Sequence, residues 1–147
     1  MQRIAEIMTP GVRSIGPQDN VRQAAQLMQE LNVGTLPVCE GPKLVGMLTD
    51  RDIVVRALPG GERPDAIQVG SIMSTGVQTC FDDQQVDEVL EQMGDSQLRR
   101  IPVLDRRDNS LIGIVSLGDM ATMHSAGIDH TLANISTPSE PQRPAAG

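Results

Sequence analysis

One seven-residue pattern occurs twice in this chain. Gly46-Met47-Leu48-Thr49-Asp50-Arg51-Asp52 and Gly113-Ile114-Val115-Ser116-Leu117-Gly118-Asp119 share a form: glycine, two apolar residues, a hydroxyl, two variable residues, an aspartate. An apolar pair after a glycine reads as the end of a strand. A hydroxyl followed three residues later by an acid reads as the first turn of a helix. Each copy therefore predicts a strand running straight into a helix N-terminus, where free backbone N–H groups and the helix dipole favour an anion. Two readings of the polar pair stand. Thr49 with Asp52, and Ser116 with Asp119, are capping boxes worth about 1 kcal/mol each. Alternatively, a hydroxyl and an aspartate kept together in both copies hold a polar group. Glu or Gln serves the last position of a capping box better than Asp, which favours the second.

The pattern belongs to a longer repeat. At an offset of 65 residues, Ile7-Met8 matches Ile72-Met73, Gly11-Val12 matches Gly76-Val77, and Val21 matches Val86. Met28 matches Met93 and Pro37-Val38 matches Pro102-Val103 at the same offset; a longer hairpin then moves Gly46 and Gly113 to an offset of 67. In the first copy Val12 to Ile15 is extended and ends at Gly16-Pro17. Asp19 and Asn20 offer caps for a helix carrying Val21, Ala24, Ala25, Met28 and Leu31 on one face, at close to 3.6-residue spacing. Leu36 to Cys39 reads as a strand whose proline suits a first residue or an edge. A turn at Glu40 to Lys43 leads to a strand from Leu44 to Leu48 and a helix from Thr49 to Leu58.

The second copy repeats this order: Val77 to Cys80 extended, a helix on Val86, Val89, Leu90 and Met93, strands Ile101 to Leu104 and Leu111 to Val115, and a helix from Ser116. Composition marks Gly60 to Gly70 as a linker. The expected division is residues 1–60 for the first repeat, 61–70 for the linker, 71–132 for the second repeat and 133–147 for a Pro- and Ala-rich, unstructured tail. Ile128 to Leu132 reads as a short apolar turn. One hairpin with two one-sided helices leaves a bare face, which two such units bury against each other about a pseudo-twofold axis, leaving paired clefts.

Composition narrows the function. With 147 residues and a 39% hydrophobic share the chain supports a real core. A net charge of −7 argues against a nucleic-acid surface, which needs a basic stripe. Phe81 is the one aromatic residue, so no platform for stacking bases exists. No run approaches the roughly 18 apolar residues of a membrane span. The N-terminus lacks a basic-then-apolar signal segment, so a cytoplasmic protein is expected. Cys39 and Cys80 lie far apart without metal-type spacing; they read as buried reduced thiols, although spacing does not exclude a bridge. His124 and His130 stand six apart, whereas a helical metal pair wants three or four. No nucleophile motif accompanies them, so neither a metal site nor an enzyme is expected. The methionines at matched places, Met8, Met28, Met73 and Met93, read as core filler.

These residues resemble the CBS-domain family in its tandem arrangement, the Bateman module. The resemblance rests on Ile7-Met8-Thr9-Pro10, Gly34-Thr35-Leu36-Pro37-Val38 and Gly46 to Ile53. In the second copy it rests on Ile72-Met73-Ser74, Arg99-Arg100-Ile101-Pro102-Val103 and Gly113 to Met120. It spans roughly residues 5–125. Thr49 to Arg56 looks especially like the small free-standing bacterial members, some of them induced under oxygen limitation or dormancy. The resemblance implies an α+β (α/β) fold of two βαββα repeats. It also implies a regulatory module for adenosine-type ligands (AMP, ADP, ATP or S-adenosylmethionine), a homodimer, and an effector on another chain. Nucleic acid and membrane are not expected partners, and no obligatory cofactor is expected. The alternative is a dimeric structural or interaction protein with vestigial clefts.

Carried over residue by residue, one cleft would use Thr49 and Asp52 with Val77, Arg99, Arg100, Ile101 and Pro102. The other would use Ser116 and Asp119 with Val12, Gly34, Thr35, Leu36 and Pro37. An ionised aspartate accepts from both hydroxyls of a ribose, and a hydroxyl with helix-start amides suits a phosphate. Adenine would lie between aliphatic side chains and proline. Arg99-Arg100 replaces Gly34-Thr35, so only the Thr49/Asp52 cleft would offer guanidinium groups. A charge-assisted hydrogen bond contributes roughly 1.5–3 kcal/mol, which is roughly tenfold to more than a hundredfold in affinity. The competing reading pairs these arginines with Asp82, Asp83 or Asp105.

Overall fold

The computed structural model describes residues 2–96 and 99–121. In chain order these form α1 (Ile4–Ile7), β1 (Thr9–Pro10), α2 (Val21–Leu31), β2 (Thr35–Glu40), β3 (Lys43–Thr49) and α3 (Asp50–Asp52). Then come β4 (Cys80–Phe81), α4 (Val86–Ser96), β5 (Arg100–Leu104), β6 (Leu111–Ser116) and α5 (Leu117–Ala121). The fold is mixed α+β. Among the described residues no helix is long and apolar enough to cross a membrane. The expected turn at Ile128 to Leu132, both histidines and the tail lie outside the described residues.

The chain divides into two compact units, and their boundaries cut across the sequence repeat. One unit joins the residues up to Val12 with those from Gln78 onward; the other comprises Arg13–Val77. Each has its own core. Ile15, Val21, Ala24, Met28, Leu36, Val38 and Leu48 are buried together with Ile67, Val69 and Ile72 in one. Ile4, Val86, Val89, Leu90, Met93, Ile101, Val103 and Val115 are buried together in the other.

The Arg13–Val77 unit shows why its elements form. Asn20 caps α2 through a reciprocal box: its side chain accepts from Gln23 N (2.8 Å), and its own N–H donates to the Gln23 side chain (2.9 Å). Asp19 instead closes the preceding turn by accepting from Gly16 N (2.9 Å). Helix α2 ends on Asn32 in the left-handed conformation (φ 56°). Strands β2 and β3 form an antiparallel hairpin with a bulge at Val38/Cys39. The helical path after Thr49 starts as α3, passes through a π-helical turn at Ile53–Ala57 and ends in a 3₁₀ turn at Leu58–Gly60.

Pro37 lies inside β2, opposite Met47; of the two places that suit its chemistry it takes the edge, since β2 is an outer strand of the two-stranded sheet, and not the strand's first residue. The position tolerates it because Met47 spends both backbone groups elsewhere, donating to Ser74 O (3.0 Å) and accepting from Ser74 N (2.9 Å). The Pro37–Met47 pair therefore requires no N–H from residue 37. Of the extended piece expected over Val12 to Ile15, Ile15 alone pairs, in parallel with Val38.

The 61–70 stretch, read from composition as a linker, is exposed over residues 61–66 and packs at its end. Ile67 (8% exposed) and Val69 (0%) enter the core. Val21 N donates to Ile67 O (2.8 Å), and Val69 N donates to Asp19 O (2.8 Å). The N-terminal residues do the same in the other unit. Val86 N donates to Gln2 O (2.9 Å), Ile4 N donates to Gln84 O (2.9 Å), and Ile4 is fully buried. Each repeat's leading segment thus closes the start of the other repeat's helix.

The same leaders complete the sheets. Strand β1 pairs with β6 in a four-stranded sheet of order β1-β6-β5-β4, and Thr9 faces Ile114. Ser74 bridges Met47 in the corresponding way. These pairings explain the two pattern glycines. A Cβ on Gly46 would meet Ser74 O at 2.7 Å, and one on Gly113 would meet Thr9 O at 2.7 Å. Gly46 and Gly113 do not merely precede strand ends; they let a second backbone lie against the strand.

The two cysteines are buried free thiols. Burial pushes the Cys80 thiol up to about 12, with the Asp82 charge adding to the effect, which keeps it protonated and unreactive.

Gly46→Ala and Gly113→Ala are expected to destabilise by about 1–3 kcal/mol each, because the obstructing atom is backbone and cannot rotate away. In thermal unfolding that is a fall of roughly 2–10 °C. Gly60→Ala, with nothing within 4 Å of its added Cβ, should stay within about 0.5 kcal/mol of the parent.

Candidate functional site

The two hydroxyl-x-x-Asp segments form reciprocal caps of the same geometry. Thr49 Oγ1 accepts from Asp52 N (3.0 Å), and Asp52 Oδ2 accepts from Thr49 N (3.0 Å). Ser116 Oγ accepts from Asp119 N (3.0 Å), and Asp119 Oδ2 accepts from Ser116 N (2.9 Å). The capping reading is therefore realised in both repeats. It does not exhaust the first carboxylate. Asp52 Oδ1 accepts no hydrogen bond from the described residues, and the side chain is 13% exposed. It faces Arg56 Nε at 3.8 Å, beyond hydrogen-bond reach. A part-buried, acceptor-only oxygen beside a helix N-terminus is a place where a donor hydroxyl can be held.

The residue sets carried over from the resemblance draw on both units; each unit on its own contributes the following. In the Arg13–Val77 unit, Thr49 stands opposite Thr35 at the end of the β2–β3 hairpin. Asp50 N donates to Gly34 O (2.9 Å). Gly34 is tightly placed, since an added Cβ would meet Asp50 Oδ2 at 2.9 Å. Leu36 and Pro37 are buried in β2, and Val77 is half-buried. An open groove of about 390 Å³ runs beside them, lined among others by Met28, Asn32, Gly34, Asp50, Ile53 and Val54. Gly34 is the one expected site residue on its wall.

In the other unit Arg100 stands directly opposite Ser116, and Leu117 N donates to Arg99 O (2.9 Å). Both arginine side chains are exposed, Ile101 and Pro102 are buried in β5, and Val12 is half-buried. Two of the acids considered as their partners are engaged elsewhere. Arg106 donates to both oxygens of Asp83 (2.6 and 2.9 Å) and stands over the Phe81 ring at 4.2 Å. Arg107 donates to both oxygens of Asp105 (3.1 and 2.7 Å) and holds that carboxyl down at about 2.

Two participants escaped the sequence reading. Asp50 occupies a variable position of the repeated pattern, yet its N–H holds the Gly34 carbonyl. Arg56 was seen only as part of a helix, yet it reaches both Asp52 and the carbonyl of Ile72 (3.3 Å). The available signal was the Asp-to-Arg spacing of four in the first repeat, against Asp119 and Met123 in the second. Among the described residues no group of three His, Cys, Asp or Glu side chains is placed to hold a metal ion.

The chain is similar to known proteins in sequence and in fold. A family model described as the CBS domain matches residues 4–58 and again 69–123. A CBS domain-containing protein of Bacillus subtilis, YhcV, is 37% identical over 138 residues, covering 92% of this chain and 96% of that protein. Hypoxic response protein 1 of Mycobacterium tuberculosis is 35% identical over 122 residues, covering 82% of this chain and 84% of its own length. A crystal structure of Hypoxic Response Protein I with two coordinated zinc ions superposes with a TM-score of 0.74 at 35% identity, over 83% of this chain and 98% of that one. The CBS domain pair of MJ0100, solved with 5′-methylthioadenosine and S-adenosyl-L-methionine, gives a TM-score of 0.70 at 26% identity, over 83% of this chain and 98% of that one.

Removing the cap hydroxyls by Thr49→Ala or Ser116→Ala is expected to destabilise the protein by about 0.5–2 kcal/mol each. Thr49→Ser should retain most of the stability. Urea unfolding of the three variants checks this; equal losses for Thr49→Ala and Thr49→Ser would remove the cap as the cause.

Proposed function

This chain belongs to the CBS-domain family, and from that premise we propose that it is a regulatory module that binds an adenosyl ligand and passes the binding signal to an effector on another chain. The observation that carries the reading is the unused oxygen of Asp52, part-buried and set by the cap. A ribose supplies two adjacent hydroxyl donors, which a single ionised carboxylate accepts without a partner of its own. Asp119 stands in an equivalent cap in the second repeat. The adenosyl ligands bound to the MJ0100 CBS pair support this choice of chemistry.

We propose further that Arg100, with Arg99 beside it, favours a phosphorylated ligand over a bare nucleoside. The engagement of Asp83 and Asp105 by other arginines supports this, since each of these acids already carries a guanidinium of its own. Likeness to hypoxic response protein 1 supports a role under stress. In this reading the module catalyses nothing itself.

A second reading is a dimeric interaction protein whose polar pairs serve only as caps. The completeness of both caps favours it, as do Val54, Val55 and Leu58, which are 57%, 51% and 58% exposed on one helical stretch. Self-association through such residues is compatible with either reading.

A thermal-shift series with AMP, ATP and S-adenosylmethionine separates the two. A ligand at a hundred times its Kd adds about 2.7 kcal/mol, or roughly 5–10 °C for a chain of this size. No shift with any of the three would leave the interaction reading. By calorimetry, Asp52→Asn is expected to lower AMP affinity about tenfold or more, since it replaces an acceptor oxygen with a donor. Arg100→Ala should weaken AMP by about tenfold or more and leave adenosine nearly unchanged. Equal losses for the two would remove the phosphate role.

A further inference from the structure

We infer that Arg56 is a positioning residue that joins Asp52 to the Val69–Ser74 segment, so that occupation of Asp52 is felt by the leader of the second repeat. The inference rests on the reading of Asp52 as a ligand-holding carboxylate. One guanidinium lies at both ends of the link. Its Nε stands 3.8 Å from Asp52 Oδ1, the oxygen the cap does not use. Its Nη1 donates to the carbonyl of Ile72 at 3.3 Å. A planar fork with several fixed donors can address both at once, which a lysine ammonium cannot.

The far end is a coherent element. Val69 is fully buried and Ile72 is 5% exposed. Gly70 N donates to Pro17 O (2.8 Å), and Ser74 pairs with Met47 on the strand that leads directly to Thr49 and Asp52. The near end lies in a π-helical turn, Ile53–Ala57, immediately after Asp52. Such turns are rare and often mark functional positions, because the wider turn re-aims a side chain.

The 3.8 Å gap makes the link responsive. It is an electrostatic attraction without a hydrogen bond, so a ligand hydroxyl donating to Oδ1 competes directly with the guanidinium. The competition changes how firmly Arg56 is held, and therefore the Ile72 contact. Four residues beyond Asp119 the second repeat carries Met123, so the sequence offers no guanidinium at the matched position.

Arg56→Met tests this by installing the residue type found at the matched position of the second repeat. Arg56 is 54% exposed, so the variant should fold, and its thermal unfolding is the control. Amide hydrogen exchange over residues 69–74 is expected to speed up at least twofold in ligand-free Arg56→Met. Arg56→Lys should lie between the variant and the parent. Adding AMP should alter exchange over 69–74 in the parent and leave it unaltered in Arg56→Met. Unchanged exchange in the ligand-free variant would overturn the link whatever the ligand does. An AMP response kept in full by Arg56→Met would overturn it as well. Failure of AMP, ATP and S-adenosylmethionine to bind the parent would instead remove the reading of Asp52, and the ligand-free comparison would still decide whether Arg56 ties the segment.

Discussion

The backbone pairing between a leader segment and a glycine-bearing strand is the interaction on which the rest depends. A hairpin of two short strands is marginal in water. Here β2–β3 gains Ser74 on one side and Ile15 on the other, while β5–β6 gains β1 and β4. In each unit the added edge on the β3 or β6 side comes from the segment that precedes the other repeat in sequence. Neither repeat can complete its sheet or close the start of its first helix with its own leader. Duplication is therefore a structural requirement, and the unit of packing is not the unit of sequence. The exchange also makes the closing contacts long-range, as Thr9 with Ile114 shows, which places them late in folding and adds cooperativity between chain segments.

The elements with a strong local signal were legible before the structure. The spacing of Val21, Ala24 and Met28 gave α2, and of the two caps the sequence offers, Asp19 and Asn20, the structure uses Asn20. Two apolar runs about the turn at Glu40 to Lys43 gave the β2–β3 hairpin, and Ile101 to Leu104 with Leu111 to Val115 gave its counterpart. Less legible were features whose cause lies far away in sequence. Ile67 and Val69 sit between glycines, prolines and polar residues, without enough periodicity to mark a core segment, so composition alone read them as linker. Pro37 argued for a strand's first residue or an edge, and local chemistry could not choose between them, because it cannot see that Met47's backbone groups are already engaged with Ser74. The role of Gly46 could not be deduced locally either, since the atom it makes room for is 28 residues away.

The site divides along the same line. The hydroxyl-x-x-Asp spacing, being local, gave the cap geometry at Thr49 and Ser116 within one turn of helix. Arg56 escaped because its second partner is a carbonyl 16 residues away. The family resemblance supplied the sets of residues expected to cooperate, which local spacing could not. What the structure adds is a finer description of single groups: which carboxylate oxygen the cap consumes, which acids other arginines already hold, and where a glycine is tight against an aspartate.

Capping and ligand binding are often set against each other as explanations of such a pair, but the Asp52 geometry makes them complementary. The cap consumes Oδ2 and leaves Oδ1, and by fixing one oxygen it fixes the position of the other. The entropy of holding the carboxylate in place is then lost during folding and not again on binding, which is how preorganisation raises affinity. The choice of acid follows. Glutamate makes a better reciprocal cap, but its longer side chain has a further rotatable bond and would hold its second oxygen less firmly. An aspartate that caps slightly less well and aims more rigidly fits a carboxylate with two tasks. In the first repeat that trade fits the role proposed for Asp52, in a segment that by its spacing alone would pass for an ordinary helix start.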